Sequence, residues 1–174
     1  LLVDLLLAQA DAQVAAEQID EAQMLTRRAM SIAAGLPDDK AAEAKATFDR
    51  VTALRRTFLK IDTIKRRIED SPHNPKLHDQ LAMLYLTELD NPSRAIALRD
   101  KLSPAMAAKM ALLAKDDSQL TTGELLSLGQ WYAGDLYRAA SPESRSQMID
   151  RGLAKYESVL DRENLAELTR IKAQ

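Results

Sequence analysis

The side chains that could do chemistry in this chain are few. Two histidines, His73 and His78, stand five residues apart, and Asp79 could add an oxygen beside them. A helical metal site needs its ligands three or four residues apart, on one face. A helix start at Asn74-Pro75 falls between the two, so they read as an exposed loop histidine and a surface helical one. Cysteine is absent, which excludes disulfides, thiolate catalysis and cysteine-based zinc sites. Carboxylate pairs occur at Asp38-Asp39, at Asp116-Asp117 and at Glu163 with Glu167. They fall at expected caps or on polar faces, where the helix macrodipole favours acids near an N-terminus. No glycine-rich phosphate loop, G-x-S-x-G or H-E-x-x-H is present. The reading assigns no catalytic residue, metal or cofactor.

Two further constellations invite function. Basic residues gather at Lys45, Arg50, Arg55, Arg56, Lys60, Lys65, Arg66 and Arg67, against Asp49 and Asp62. The first 26 residues carry only acids: Asp4, Asp11, Glu17, Asp20 and Glu21. A nucleic-acid reader would add base-stacking aromatics to such a patch, whereas Phe58 falls on an apolar seam. Solvated helix faces attracted to the acidic N-terminal pair explain the basic run more simply. An acidic protein partner comes next, and an electrostatic nucleic-acid binder through 45–67 stays as an alternative. Trp131-Tyr132 could floor an aromatic ligand site, but Tyr132 lies on a core stripe and Trp131 is placed against the next hairpin. Core is the better reading.

The elements that must position these residues are helices. The chain of 174 residues is 46% hydrophobic and 29% charged, with a net charge of −2 and mean hydropathy of −0.29. Those values suit a water-soluble globular domain. The near-neutral charge gives no support for a nucleic-acid polyanion as main partner, and no apolar run approaches a membrane span. Gly (5) and Pro (6) are scarce, aromatics make up 4%, and helix-forming straight-chain residues dominate. The fold class is all-α. Asp4 interrupts the opening Leu1–Leu7 run and no basic residue precedes Arg27, so this is no signal peptide. It reads as a helix already under way in a fragment of a longer protein.

Proline and cap residues punctuate the chain. Asn74-Pro75, Asn91-Pro92, Ser103-Pro104 and Ser141-Pro142 each place an N-cap before a first-turn proline. Thr121 with Glu124 is a capping box, and Asp20 with Gln23 a weaker one. The spacing predicts helices over 1–18, 20–34, 38–70, 75–89, 92–101, 104–115, 121–140, 142–160 and 163–173. Residues 1–37 form an N-terminal hairpin, 38–71 a long connecting helix, and 72–174 a C-terminal array. Val51, Leu54, Phe58, Ile61, Lys65 and Ile68 repeat like a coiled-coil seam, with Lys65 a fault where the packing partner ends. The helix at 121–140 is apolar on two faces, one through Leu125, Leu128 and Tyr132 and another through Leu126, Ala133 and Tyr137. The next carries Met148, Gly152, Leu153, Tyr156, Val159 and Leu160. Such helices are expected to be sandwiched between neighbours. Gly152 should sit where these two helices cross.

Leu128-Gly129 with Tyr132, followed by Gly152, Tyr156 and Val159, resembles the skeleton of the tetratricopeptide repeat (TPR), a helical hairpin of ~34 residues. Leu81-Ala82 with Tyr85, then Ala95 and Leu102, resembles it more loosely. The hairpins are unequal and the proline that ends a repeat is missing. The run from Leu54 through Pro72–Pro75 and Leu128–Tyr132 to Ala154–Glu157 also looks like a segment of large, often exported bacterial proteins. The resemblance implies an irregular TPR-like array acting as a non-enzymatic protein-interaction or spacer module. It favours an exported or periplasmic setting over a cytoplasmic one. Arrays of this kind bind a protein or peptide along the inner face of each hairpin's first helix. By phase those positions are Lys76, Asp79, Met83 and Gln130. A helical enzyme domain with a desolvated cleft carboxylate is the competing class.

Overall fold

Four of the local start signals act as the sequence predicts. The Asn74 side chain accepts from the Lys76 N–H at 3.1 Å, and that of Asn91 from the Arg94 N–H at 3.1 Å. Ser103 Oγ accepts from the Met106 N–H at 3.4 Å. Thr121 and Glu124 form a reciprocal box, with N–H to oxygen distances of 2.7 and 3.2 Å. Each satisfies a backbone donor that the helix itself leaves orphaned. The computed structural model describes residues 2–172, with side chains through residue 162.

The described residues are helical with no strand among them. The helices are α1 (Leu2–Ala15), α2 (Ile19–Ala33), α3 (Asp38–Asp70), α4 (Pro75–Thr87), α5 (Pro92–Ile96), α6 (Pro104–Leu113) and α7 (Thr122–Trp131). A π-helical segment, Tyr132–Leu136, carries α7 into the short α8 (Tyr137–Ala139), and α9 (Arg145–Lys172) follows. Among these residues no helix is long and apolar enough to cross a membrane. The chain divides into two compact units, Leu1–Asp62 and Thr63–Gln174.

In the first unit α1 and α2 pack as a hairpin. Glu17 takes a left-handed φ of 59° at the turn, and α2 starts at Ile19 with no side-chain cap on Gln18. The expected box from Asp20 to Gln23 does not form. Instead Gln23 donates to Thr52 at 3.2 Å. Val3, Leu6, Leu7, Ala29, Ala33 and Ala44 form one buried cluster, and Ile19, Ala22 and Val51 another. The alanines let helix backbones approach, while each large aliphatic contributes roughly 1.5–3 kcal/mol by leaving water.

In the second unit α4 packs on α5, α6 links α5 to α7, and α7 pairs with α9. Leu77, Leu81, Tyr85, Leu125, Leu128 and Met148 are buried there. Three expectations change. Residues 141–144 form a turn and α9 begins only at Arg145; the Ser141 hydroxyl bonds that of Ser144 at 3.2 Å instead of capping a backbone N–H. The predicted break near 161–162 is absent, since no glycine or proline interrupts the helix there. Leu126, Leu153 and Leu160, expected to be sandwiched, are exposed by 37%, 51% and 56%.

Candidate functional site

The four sequence-derived contact residues divide between two helices. Lys76, Asp79 and Met83 lie three and four residues apart on α4, so they form one stripe. Lys76 is exposed in the first turn, and Met83 is half-buried. Asp79 is half-buried as well, and its Oδ1 accepts the Ser103 N–H at 3.0 Å. It therefore ties α4 to the start of α6, which corrects its reading as a freely replaceable contact. Gln130 is exposed on α7. α4 packs on this arm through Tyr132–Leu136 and Tyr137–Ala139, C-terminal to Gln130. The stripe and Gln130 thus lie on different helices of the same unit.

The histidines differ from expectation in one respect. His73 is exposed in its loop, whereas His78 is 3% exposed. Its Nε2 lies 3.0 Å from the Pro72 carbonyl, the geometry of an N–H donor, and its Nδ1 is buried without a partner. Among the described residues no three His, Asp or Glu side chains are grouped as metal ligands. Surface placement failed because α4 buries a wider face than its leucine stripe, taking His78 and Ala82 beside Leu77, Leu81 and Tyr85.

Three of the eight cations in the basic run, Lys45, Arg50 and Arg55, form ion pairs. Arg50 donates to Asp11, Arg55 Nε lies 2.6 Å from Asp20, and Lys45 lies 2.6 Å from Asp49. Lys40 contacts Asp4 at 2.5 Å and Glu43 at 2.9 Å. Acids of α1 and α2 thus face cations of α3 in a ladder. The Lys40 ammonium holds the Asp4 carboxyl down to about 2. A shallow cleft of about 180 Å³ beside Ile19, Asp20, Arg55 and Phe58 is smaller than the ~300–1,000 Å³ of most small-molecule pockets.

Trp131 and Tyr132 are core, as expected, with ring centroids 5.9 Å apart. The Lys109 ammonium of α6 sits 5.8 Å from the Trp131 centroid, so this ring faces the preceding helix rather than the next hairpin. Burial pushes the Tyr132 phenol up. Around it lies a polar network that the sequence reading missed. Arg151 grips Asp90 through Nε at 3.0 Å and Nη2 at 2.6 Å. Lys155 Nζ and Ser158 Oγ donate to the Asp117 carboxylate at 2.5 and 3.0 Å. Burial pushes the Asp117 carboxyl up, but those donors outweigh it and the net shift is downward. Arg162 donates to the carbonyls of Leu120 and Asp117. These partners lie 38 to 61 residues apart, beyond any helical period that could have signalled them. Asp38 and Asp39 are exposed in the first turn of α3, and the side chains of Glu163 and Glu167 lie outside the described residues.

The network clasps loops onto α9. Glu88 and Asp90 leave the end of α4, Asp117 leaves the turn after α6, and all three carboxylates engage residues 141–158. No family model, curated protein or solved structure matches this chain.

Proposed function

We propose that this chain is a non-enzymatic protein-interaction or spacer module, an irregular TPR-like array within a larger bacterial protein. The supporting observation is how the acids of the second unit are used. Asp79, Glu88, Asp90, Asp117 and Glu124 each accept hydrogen bonds from a neighbouring element or a helix start. A catalytic acid needs a desolvated carboxyl whose pKa is raised. The carboxyl shifts resolved here, at Asp4, Asp117 and Glu124, all run downward. Acids deployed this way order helices.

The TPR-like reading draws on the α7–α9 hairpin. A Cβ on Gly129 would come within 2.9 Å of the Tyr156 ring, and one on Gly152 within 3.1 Å of the Gly129 carbonyl. Small residues at a helix crossing are the hallmark of such hairpins. The proposed contact face is the α4 stripe of Lys76, Asp79 and Met83, with Gln130 as a second point. A photo-crosslinking residue in place of Lys76, irradiated in lysate of the source cell, should give a discrete adduct. The same residue in place of exposed Ser118 should not. Identical adducts from both positions, or none from position 76, would remove the α4 face from the proposal.

A further inference from the structure

α9 sorts its charges by side. Through residue 162 each of its cations is engaged by the array. Arg145 lies over the Tyr137 ring, Arg151 holds Asp90, Lys155 holds Asp117, and Arg162 holds two loop carbonyls. Its acids Asp150, Glu157 and Asp161 are exposed and enter no ion pair among the described residues. Beside them Leu153 and Leu160, seven residues apart, are more than half exposed. α7 and its π-helical extension add exposed Leu126, Gln130 and Ala133.

These residues share one side of the hairpin. Gly152 faces Gly129 and Ala133, and Tyr156 faces Gly129, so the two helices run antiparallel. Counting ~100° per residue from those contacts sends Leu126, Gln130 and Ala133 to the same side as Leu153 and Leu160. The other side carries buried Leu128 and Tyr132, and Lys155 bonded to the Asp117 turn. One side of the hairpin is filled by its own unit. The other presents leucines that the sequence patterns as core.

We infer that this open side is a groove for a basic-rimmed amphipathic helix of a partner protein. The apolar face of that helix would lie on Leu126, Ala133, Leu153 and Leu160, with its lysines or arginines over Asp150, Glu157 and Asp161. Leucines one heptad apart suit the spaced anchors of helix-in-groove recognition. Three acids along one edge, unpaired among the described residues, select a cationic rim. They oppose an anionic lipid surface or a nucleic acid. A second copy docking by the same face would set its own acids near these, which disfavours self-association. The inference rests on the interaction-module reading but not on the α4 stripe.

The test uses the full chain and two labelled synthetic peptides of about 18 residues, five helical turns. One is a leucine/lysine amphipathic helix, and the other keeps the leucines but replaces every lysine by glutamate. Fluorescence anisotropy should show binding of the first and not the second. Leu153→Gln with Leu160→Gln should weaken that binding about tenfold or more, since half-exposed leucines still supply apolar contact. Asp150→Asn, Glu157→Gln and Asp161→Asn together should weaken it and flatten its salt dependence. All these positions are exposed, so melting curves should stay near wild type. Unchanged affinity in the folded variants, equal binding of both peptides, or no binding would overturn the groove. Dimerisation abolished by the leucine substitutions would instead assign the face to a second copy. Loss of peptide binding on Lys76→Glu alone would move the occupant to α4, leaving the interaction reading standing and the groove rejected.

Discussion

Arg151 and Asp90 form a two-point ion pair, Nε to Oδ1 at 3.0 Å and Nη2 to Oδ2 at 2.6 Å, that fixes α9 to the loop after α4. Asp90 also has a left-handed φ of 45°, and beside it the Asn91 N–H closes back on the Tyr85 carbonyl at 2.8 Å. One residue both ends α4 and anchors α9. Aspartate tolerates this backbone better than most non-glycine residues, and unlike glycine it places a carboxylate there.

Those two roles can be separated by substitution. Asp90→Gly keeps the backbone and loses the pair, which should cost about 1–2 kcal/mol once its part-exposure to solvent is discounted. Asp90→Ala loses the pair but retains the Cβ that aspartate already holds in the left-handed region, a strain of roughly 1 kcal/mol that glycine relieves. Urea unfolding should rank wild type above glycine and glycine above alanine. An alanine variant as stable as wild type would show that the pair contributes nothing, since alanine keeps the Cβ and loses only the carboxylate.

The crossing of α7 and α9 predicts opposite outcomes for two glycines. Gly152→Leu meets backbone at Gly129 and Ala133, which cannot swing aside, so overpacking should cost ~1–3 kcal/mol and lower Tm by several degrees. Gly134 has no atom within 4 Å of where a Cβ would stand. Gly134→Ala should therefore leave stability unchanged or raise it by up to ~1 kcal/mol. Equal melting temperatures for the two variants would contradict this crossing.

What the sequence discloses here is local. Asn74, Asn91, Ser103 and the Thr121–Glu124 box were legible because a cap needs a side chain within three residues of its donor. Gly152 was legible because an apolar helix keeps a glycine where something comes close. Ser141-Pro142 misled, because the Ser141 hydroxyl bonds the Ser144 hydroxyl rather than a helix N–H. Leu126, Leu153 and Leu160 misled for another reason, as periodicity reports an apolar face and not what covers it. Asp79 shares a helix face with Lys76 and Met83, as its spacing predicts, but its bond to Ser103 depends on a loop path that no spacing encodes.

The ladder on the first unit predicts acid sensitivity. Asp4 has a folded pKa of about 2, below its ordinary 3.8, so its contribution is fully present above about pH 4 and is lost as pH falls toward 2. Carboxyl NMR titration should place Asp4 low in the wild type and shift it upward in Lys40→Met. High salt should weaken the pair, since both partners are solvent-exposed. An Asp4 titration unchanged by Lys40→Met would reject the pair.

The interaction reading itself is tested most directly by quantitative capture from source-cell lysate, with thermal melts in parallel. Asp79 stays intact because it holds the start of α6. The variant combines Lys76→Glu with Met83→Ala, an exposed and a half-buried position on the α4 stripe. Methionine serves as an adaptable contact at binding surfaces, and its truncation here should cost less than the ~2–5 kcal/mol of a fully buried one. The account predicts that the folded variant loses most of the partner retained by wild type, with Tm lowered by only a few degrees. Equal capture by both folded proteins would contradict it.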